Sequence, residues 1–266
     1  MLRHVTSPDG VRIACEESGS GPPLVVVHGA GSARWSFDLL RPHLEGRFTV
    51  IAIDRRGRGD STDGPGFSLE RECDDVAAVV RDAGEGALLF GHSYGGLVAA
   101  GAALRLDLPG LALYEPAMGG GLAAEDTIER WERLLEQGER DAITREFLHD
   151  IAGYDDTEID QLRQTPLWEA RRAVVPTVPR ELRAELAHRF EDWRLGDLDV
   201  PTLLLVGSES PPWAVRSVEA HTAAIPGAEK RVLEGQGHGA NMSAPELLAA
   251  ELGRFFAIGS DVSREP

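Results

Sequence analysis

Among 266 residues there is one lysine, Lys230, against 26 arginines. With 30 glycines and many alanines, that skew reads as the coding bias of a G+C-rich genome, so the arginines carry no functional meaning as a class. Cysteine is nearly absent: Cys15 and Cys73 form no CxxC pair and no Cys/His cluster. That excludes a disulfide scaffold and a structural zinc site, and no metal or cofactor is expected. Basic charge is scarce, with 27 cations against 44 acids and a net charge of -17, which excludes the basic footprint a nucleic-acid partner needs. No apolar run reaches the ~18 residues of a membrane span, and residues 1–15 lack the basic start and apolar stretch of a signal peptide. Neither export nor membrane insertion is therefore expected, and the cytoplasm is the default compartment. Self-association is left open.

What is present is ordinary for a globular chain: 42 % hydrophobic and 27 % charged residues, enough for one large α/β domain or a core with an insertion. Asp9-Gly10 reads as a hairpin turn between strands at 2–6 and 11–16. Continuous, largely apolar runs follow at 23–27, 49–53, 87–90, 110–114 and 202–206, and a last strand is expected at 230–233. Between them lie helical stretches at 35–45, 69–83, 95–107, 213–225 and 244–257. Strands that are apolar throughout, alternating with helices, predict a mostly parallel sheet covered on both faces.

Residues 119–199 break the alternation. Helix follows helix, at 124–137, 139–151, 155–172 and 179–192, with no convincing strand. The block opens on Gly119-Gly120-Gly121 and holds 20 acids and 11 arginines. It reads as a helical cap inserted over the carboxyl ends of the strands. The expected layout is a core at 1–118 and 200–258, the cap at 119–199, and a loose tail at 259–266.

Chemistry concentrates at Gly91-His92-Ser93-Tyr94-Gly95-Gly96, behind the apolar run 87–90 and ahead of Leu97-Val98-Ala99-Ala100. A serine with glycines two before and two after, at a strand-to-helix junction, is a nucleophile elbow. A hydroxyl nucleophile needs a base, a group that holds the base in one tautomer, and donors for the oxyanion. Of eight histidines, only His238 lies in a Gly-rich loop (235–239) between a late strand and the final helix, so it is the candidate base. His92 reads as a packing residue of the elbow. The backbone N–H groups of Tyr94 and of Ala30, in His28-Gly29-Ala30-Gly31, are the candidate oxyanion donors.

These pieces, in this order, resemble the α/β-hydrolase superfamily in its branch of serine hydrolases with a helical cap. His28-Gly29 resembles the family's oxyanion turn, and residues 54–61 (Asp-Arg-Arg-Gly-Arg-Gly-Asp-Ser) resemble its DxRGxGxS segment. In relatives that segment shapes the loop beside the site without entering the chemistry. Relatives usually carry an aspartate three residues beyond the glycine that ends the strand before the histidine strand. Here that position is Ser210, which cannot balance a histidinium. Two carboxylates are candidates for the third role. Glu115 ends the strand after the nucleophile helix, where some superfamily members are similar in placing their acid, and a lone glutamate there is costly to bury without a partner. Glu209 is one residue from the customary position. A third outcome is that no carboxylate meets His238.

The resemblance implies a cofactor-independent serine hydrolase that cleaves a small to medium ester, thioester or lactone through an acyl-enzyme. A carbon–carbon bond hydrolase, an acyltransferase or cyclase, or a non-catalytic binding protein on the same scaffold are the rivals. The expected partner is a small molecule with an apolar part, held by some of Trp35, Met118, Trp131, Trp168, Trp193, Trp213 and Met242.

Overall fold

The computed structural model describes residues 1–262, with side chains described through Ala257. Eight strands form one sheet: β1 (Leu2–Thr6), β2 (Arg12–Gly19), β3 (Pro23–Val27), β4 (Thr49–Ile53), β5 (Leu88–His92), β6 (Leu111–Tyr114), β7 (Thr202–Gly207) and β8 (Glu229–Leu233). Their order is β1-β2-β4-β3-β5-β6-β7-β8. β1 and β2 run antiparallel, β2 meets β4 antiparallel, and every pair from β4 to β8 is parallel. The expected α/β class and mostly parallel sheet are what the chain forms.

Alternate side chains explain why the central strands are apolar throughout. Val25, Val27, Ile51, Leu89, Leu113 and Leu204 enter one core, whereas Leu24, Val26, Val50, Phe90, Ala112 and Leu205 enter the other. The first core is closed by α2 (Leu69–Ala83) and α3 (Tyr94–Ala103), and by Val218 of α9 (Pro212–Ala224). The second is closed by Leu44 of α1 (Arg41–Leu44), Ala240 of α10 (Ala240–Ser243), and Leu248, Leu252 and Phe256 of α11 (Pro245–Val262). The tail expected at 259–266 is helical through Val262, and the rest of it lies outside the described residues. The helix expected at 35–45 is a 3₁₀ turn, Arg34–Phe37, followed by the single turn of α1, which carries Pro42 at its start.

Residues 119–199 hold five α-helices: α4 (Glu125–Glu136), α5 (Arg140–Glu146), α6 (Asp156–Leu162), α7 (Pro166–Val174) and α8 (Val178–Ala187). The stretch 155–172, expected as one helix, is two, because Pro166 cannot donate to the preceding turn. Asp155 and Glu158 form a reciprocal capping box at the start of α6 (both bonds 2.8 Å). These helices bury an apolar core of their own around Ile128, Trp131, Ile143, Val178 and Leu182.

Candidate active site

β5 and β6 are neighbours, and each delivers a strained residue at its carboxyl end. Ser93 follows β5 with φ 56° and ψ -127°, and Glu115 follows β6 with φ 45°. Among the described residues they are the two non-glycines in the left-handed region, where strain persists only if the surroundings enforce it. The Ser93 N–H donates to Tyr114 O (3.0 Å), and Ser93 O accepts from Ala117 N–H (3.0 Å), so the two strand ends are tied together. The glycines around Ser93 answer to close approach. A Cβ on Gly95 would sit 2.3 Å from His28 O, and one on Gly29 would sit 2.9 Å from Ser93 Cβ.

His238, in the loop after β8, turns Nδ1 onto Glu115 Oε2 at 2.5 Å. Glu115 is wholly buried, and its other oxygen accepts from the Gly207 N–H (2.7 Å) and the Ser210 hydroxyl. The serine at the customary acid position thus orients the carboxylate that comes from the neighbouring strand. Glu209, the alternative acid, is out of place. Its side chain is exposed, and its backbone N–H donates to Gln236 O of the histidine loop (2.9 Å). The loop itself is clamped from beneath. His92 Nε2–H donates to His238 O (2.9 Å), the Tyr114 hydroxyl donates to Gly237 O, and Trp213 stands edge-on to the His238 ring at 4.9 Å. Burial holds His92 well below the usual histidine pKa, so it serves as a neutral donor.

With Nδ1 engaged by a carboxylate, the proton-accepting nitrogen of His238 is Nε2. Ser93 and His238 line one cavity, and no hydrogen bond joins them among the described residues. Such contacts commonly tighten only when substrate is bound.

Ala30 lines the same cavity, and Tyr94 is the first residue of α3, where an N–H has no acceptor inside the helix. The turn carrying Ala30 is fixed by neutral His28, whose pKa burial holds well below normal. Its Nδ1–H donates to Gly29 O (2.9 Å), and its Nε2 accepts from the Arg55 N–H (3.2 Å). The segment at 54–61 is a clamp. Arg55 reaches Gly29 O (3.2 Å), Glu72 (2.8 Å) and Glu181 of α8 (3.1 Å), and lies over the Tyr94 ring at 4.6 Å. Arg56 grips Asp75 with two bonds (2.6 and 2.7 Å), and Asp54 accepts from the Arg34 and Asp60 N–H groups (2.9 and 3.0 Å).

The cavity is small, about 50 Å³. Of the seven expected pocket residues only Met242 lines it. Trp35 and Trp213 stand one layer back, Trp35 beneath the Arg171 guanidinium (5.4 Å) and Trp213 against His238. Trp131 and Trp168 are corrected to core residues of the helical block. That block has no sheet to pack on at its centre and needs large apolar side chains of its own. Trp193 packs on His188 (4.4 Å) and against Gly101 of α3. Met118 is half-buried and lies just before the turn at 119–121, outside the cavity. The walls instead come from Leu122, Phe147, Ile151 and Tyr154 of the helical block, with Ser36, Arg171 and Asn241 as polar members. Arg171 had a readable signal. Its neighbours at helical spacing, Leu167, Trp168, Val174 and Val175, are all apolar, so it sits on the inward face of α7 with no acid beside it.

Comparison with known proteins bears on the family and the fold. Residues 24–251 match the model of the alpha/beta hydrolase family. An alpha/beta hydrolase of Sphaerobacter thermophilus, known as a crystal structure, superposes with a TM-score of 0.84 at 36 % identity, over 96 % of this chain and 100 % of that one. A 2-(acetamidomethylene)succinate hydrolase of Mesorhizobium japonicum is 40 % identical over 88 residues, 32 % of this chain and 31 % of its own. A bifunctional esterase/perhydrolase of Acinetobacter calcoaceticus is 41 % identical over 101 residues, 36 % of each chain. The matched stretch thus spans about a third of these curated relatives.

Proposed function

Because the chain belongs to the alpha/beta hydrolase family, we propose that it is a serine hydrolase of small carboxylic esters, thioesters or lactones, using Ser93, His238 and Glu115. Ser93 Oγ attacks the carbonyl carbon while His238 Nε2 takes its proton, and Glu115 balances the imidazolium that forms. The N–H groups of Ala30 and Tyr94 receive the oxyanion, and the helical block at 119–199 serves as the cap that closes over the substrate. Protonated His238 then hands its proton to the leaving alcohol or thiol. Water, deprotonated by the same nitrogen, attacks the acyl-enzyme and frees the acid.

The reading is carried by one observation: the Glu115–His238 contact of 2.5 Å opens onto a cavity that Ser93 also lines, on a backbone strained at both strand ends. A non-catalytic scaffold gives no reason to maintain that strain. Part of the chain also resembles a soluble epoxide hydrolase of a Corynebacterium strain, 37 % identical over 101 residues. Ring opening by Ser93 would leave an ether that water does not cleave, so that chemistry is disfavoured here.

The test is covalent labelling. A fluorophosphonate probe should add to Ser93, located by peptide mass spectrometry, and Ser93→Ala should abolish both the adduct and p-nitrophenyl acetate hydrolysis. Folded protein that takes no label at Ser93 would overturn the proposal.

A further inference from the structure

Arg171 is a buried cation with no anion beside it among the described residues. It is 8 % exposed, lines the Ser93 cavity, and forms no ion pair among the described residues, although the protein carries 44 acids. Among the described residues it has no acidic partner: a long hydrogen bond runs from Nη1 to Gly31 O (3.4 Å), the Tyr154 side chain is a second, neutral hydrogen-bond partner, and Nε has none. The guanidinium lies over the rings of Trp35 (5.4 Å) and Tyr154 (5.8 Å), which hold its plane through cation–π contact and supply no charge to balance it. Two more buried polar atoms on residues lining this cavity lack partners, Ser36 Oγ and Asn241 Oδ1. Burial pulls the Arg171 pKa below its ordinary value, with Tyr154 acting in the opposite sense. An uncompensated charge in such a site is costly, and an anion arriving with a ligand removes that cost.

Resting on the serine-hydrolase reading, we propose that Arg171 binds a free carboxylate on the substrate, so that the ester cleaved at Ser93 is a short half-ester of a dicarboxylic acid. A carboxylate matches the planar fork of the guanidinium with two parallel hydrogen bonds, and the Ser36 hydroxyl is available as a further donor. The cavity volume limits the rest. At about 50 Å³ the cavity suits a short acyl chain better than a fatty one. Leu122, Phe147 and Ile151 face the methylenes, and Met242 completes that apolar side.

The experiment compares monomethyl succinate with methyl butyrate by acid release in a pH-stat. The wild type should favour the half-ester in kcat/KM, and Arg171→Met should lower the ratio of the two kcat/KM values by roughly 100-fold, with Arg171→Lys between them. An unchanged ratio in Arg171→Met, or no preference in the wild type, overturns the proposal and leaves the serine-hydrolase reading standing. If neither ester is cleaved and Ser93 takes no fluorophosphonate, that reading falls, and calorimetric titration of succinate decides the anion site by itself. Succinate binding that is lost in Arg171→Met supports the site. Equal binding, no binding, or binding of inorganic phosphate in place of succinate overturns it. Folding is checked by Tm, which should hold or rise in Arg171→Met, since an apolar side chain of similar length replaces an unpaired charge.

Discussion

Arg56, under the loop after β4, and Arg171, in the wall of the Ser93 cavity, are both buried, yet their surroundings differ in kind. Arg56 has Asp75 on two of its nitrogens and Asp9 on the third, at 2.6 to 2.9 Å. Arg55 beside it has Glu72 and Glu181. Arg171 has aromatic faces, one distant carbonyl and the neutral Tyr154 side chain. A buried cation whose counter-charge is built into the chain stabilises one arrangement of loop and helix. A buried cation without one is poised for a charge that comes and goes. Glu115 stands between the two cases: its partner, His238, is internal, and the proposed reaction delivers a proton to that partner.

Three experiments test this contrast, in falling order of effect. Glu115→Gln keeps size and removes the charge, and its amide can donate where His238 Nδ1–H needs an acceptor. Loss of kcat by about 10³- to 10⁴-fold on p-nitrophenyl acetate is expected, with little change in Tm; a loss below tenfold would show that His238 needs no carboxylate. Arg56→Met leaves Asp75 buried and unpaired, so urea denaturation should show a loss of about 3–5 kcal/mol. Equal stability of Arg56→Met and Arg171→Met would erase the distinction between paired and unpaired cations.

The third concerns bases that are buried by discharging them. Burial lowers the pKa of His28, His92 and His221, the last to about 4. Unfolded, each binds a proton near pH 6.5 that the native state refuses, so their contribution is complete above that pH and shrinks as pH falls below it. Between pH 6.5 and 5 each should cost up to about 2 kcal/mol. Denaturation of His221→Gln should show a shallower decline over that range, and an identical slope would mean that His221 is protonated in the folded protein.

The sheet was legible because parallel strands with both faces covered need unbroken apolar runs, and those runs stand out between helical stretches. The elbow was legible because its glycines are imposed by contacts a Cβ would violate, as at Gly95 against His28 O. The pocket was not. Large aromatics were expected to face the substrate, but Trp131 and Trp168 are used to build the core of the helical block, an outcome set by which side of each helix meets its neighbours. Discounting the arginines as a class passed over Arg171, whose apolar helical neighbours mark it out individually.

By itself, the sequence determined the fold class, the tight strand-to-helix turn at Ser93 and the loop that carries His238, because each is a local pattern fixed by backbone geometry. It also showed that the customary acid position holds a serine. Only the tertiary structure decided that Glu115, not Glu209, meets His238, and that Arg171 has no counter-charge among the described residues. Both depend on which strand ends and helix faces converge, and a carboxylate or a guanidinium finds its partner across the fold, at separations of 123 and 140 residues for His238 and Gly31, that no spacing in the chain encodes.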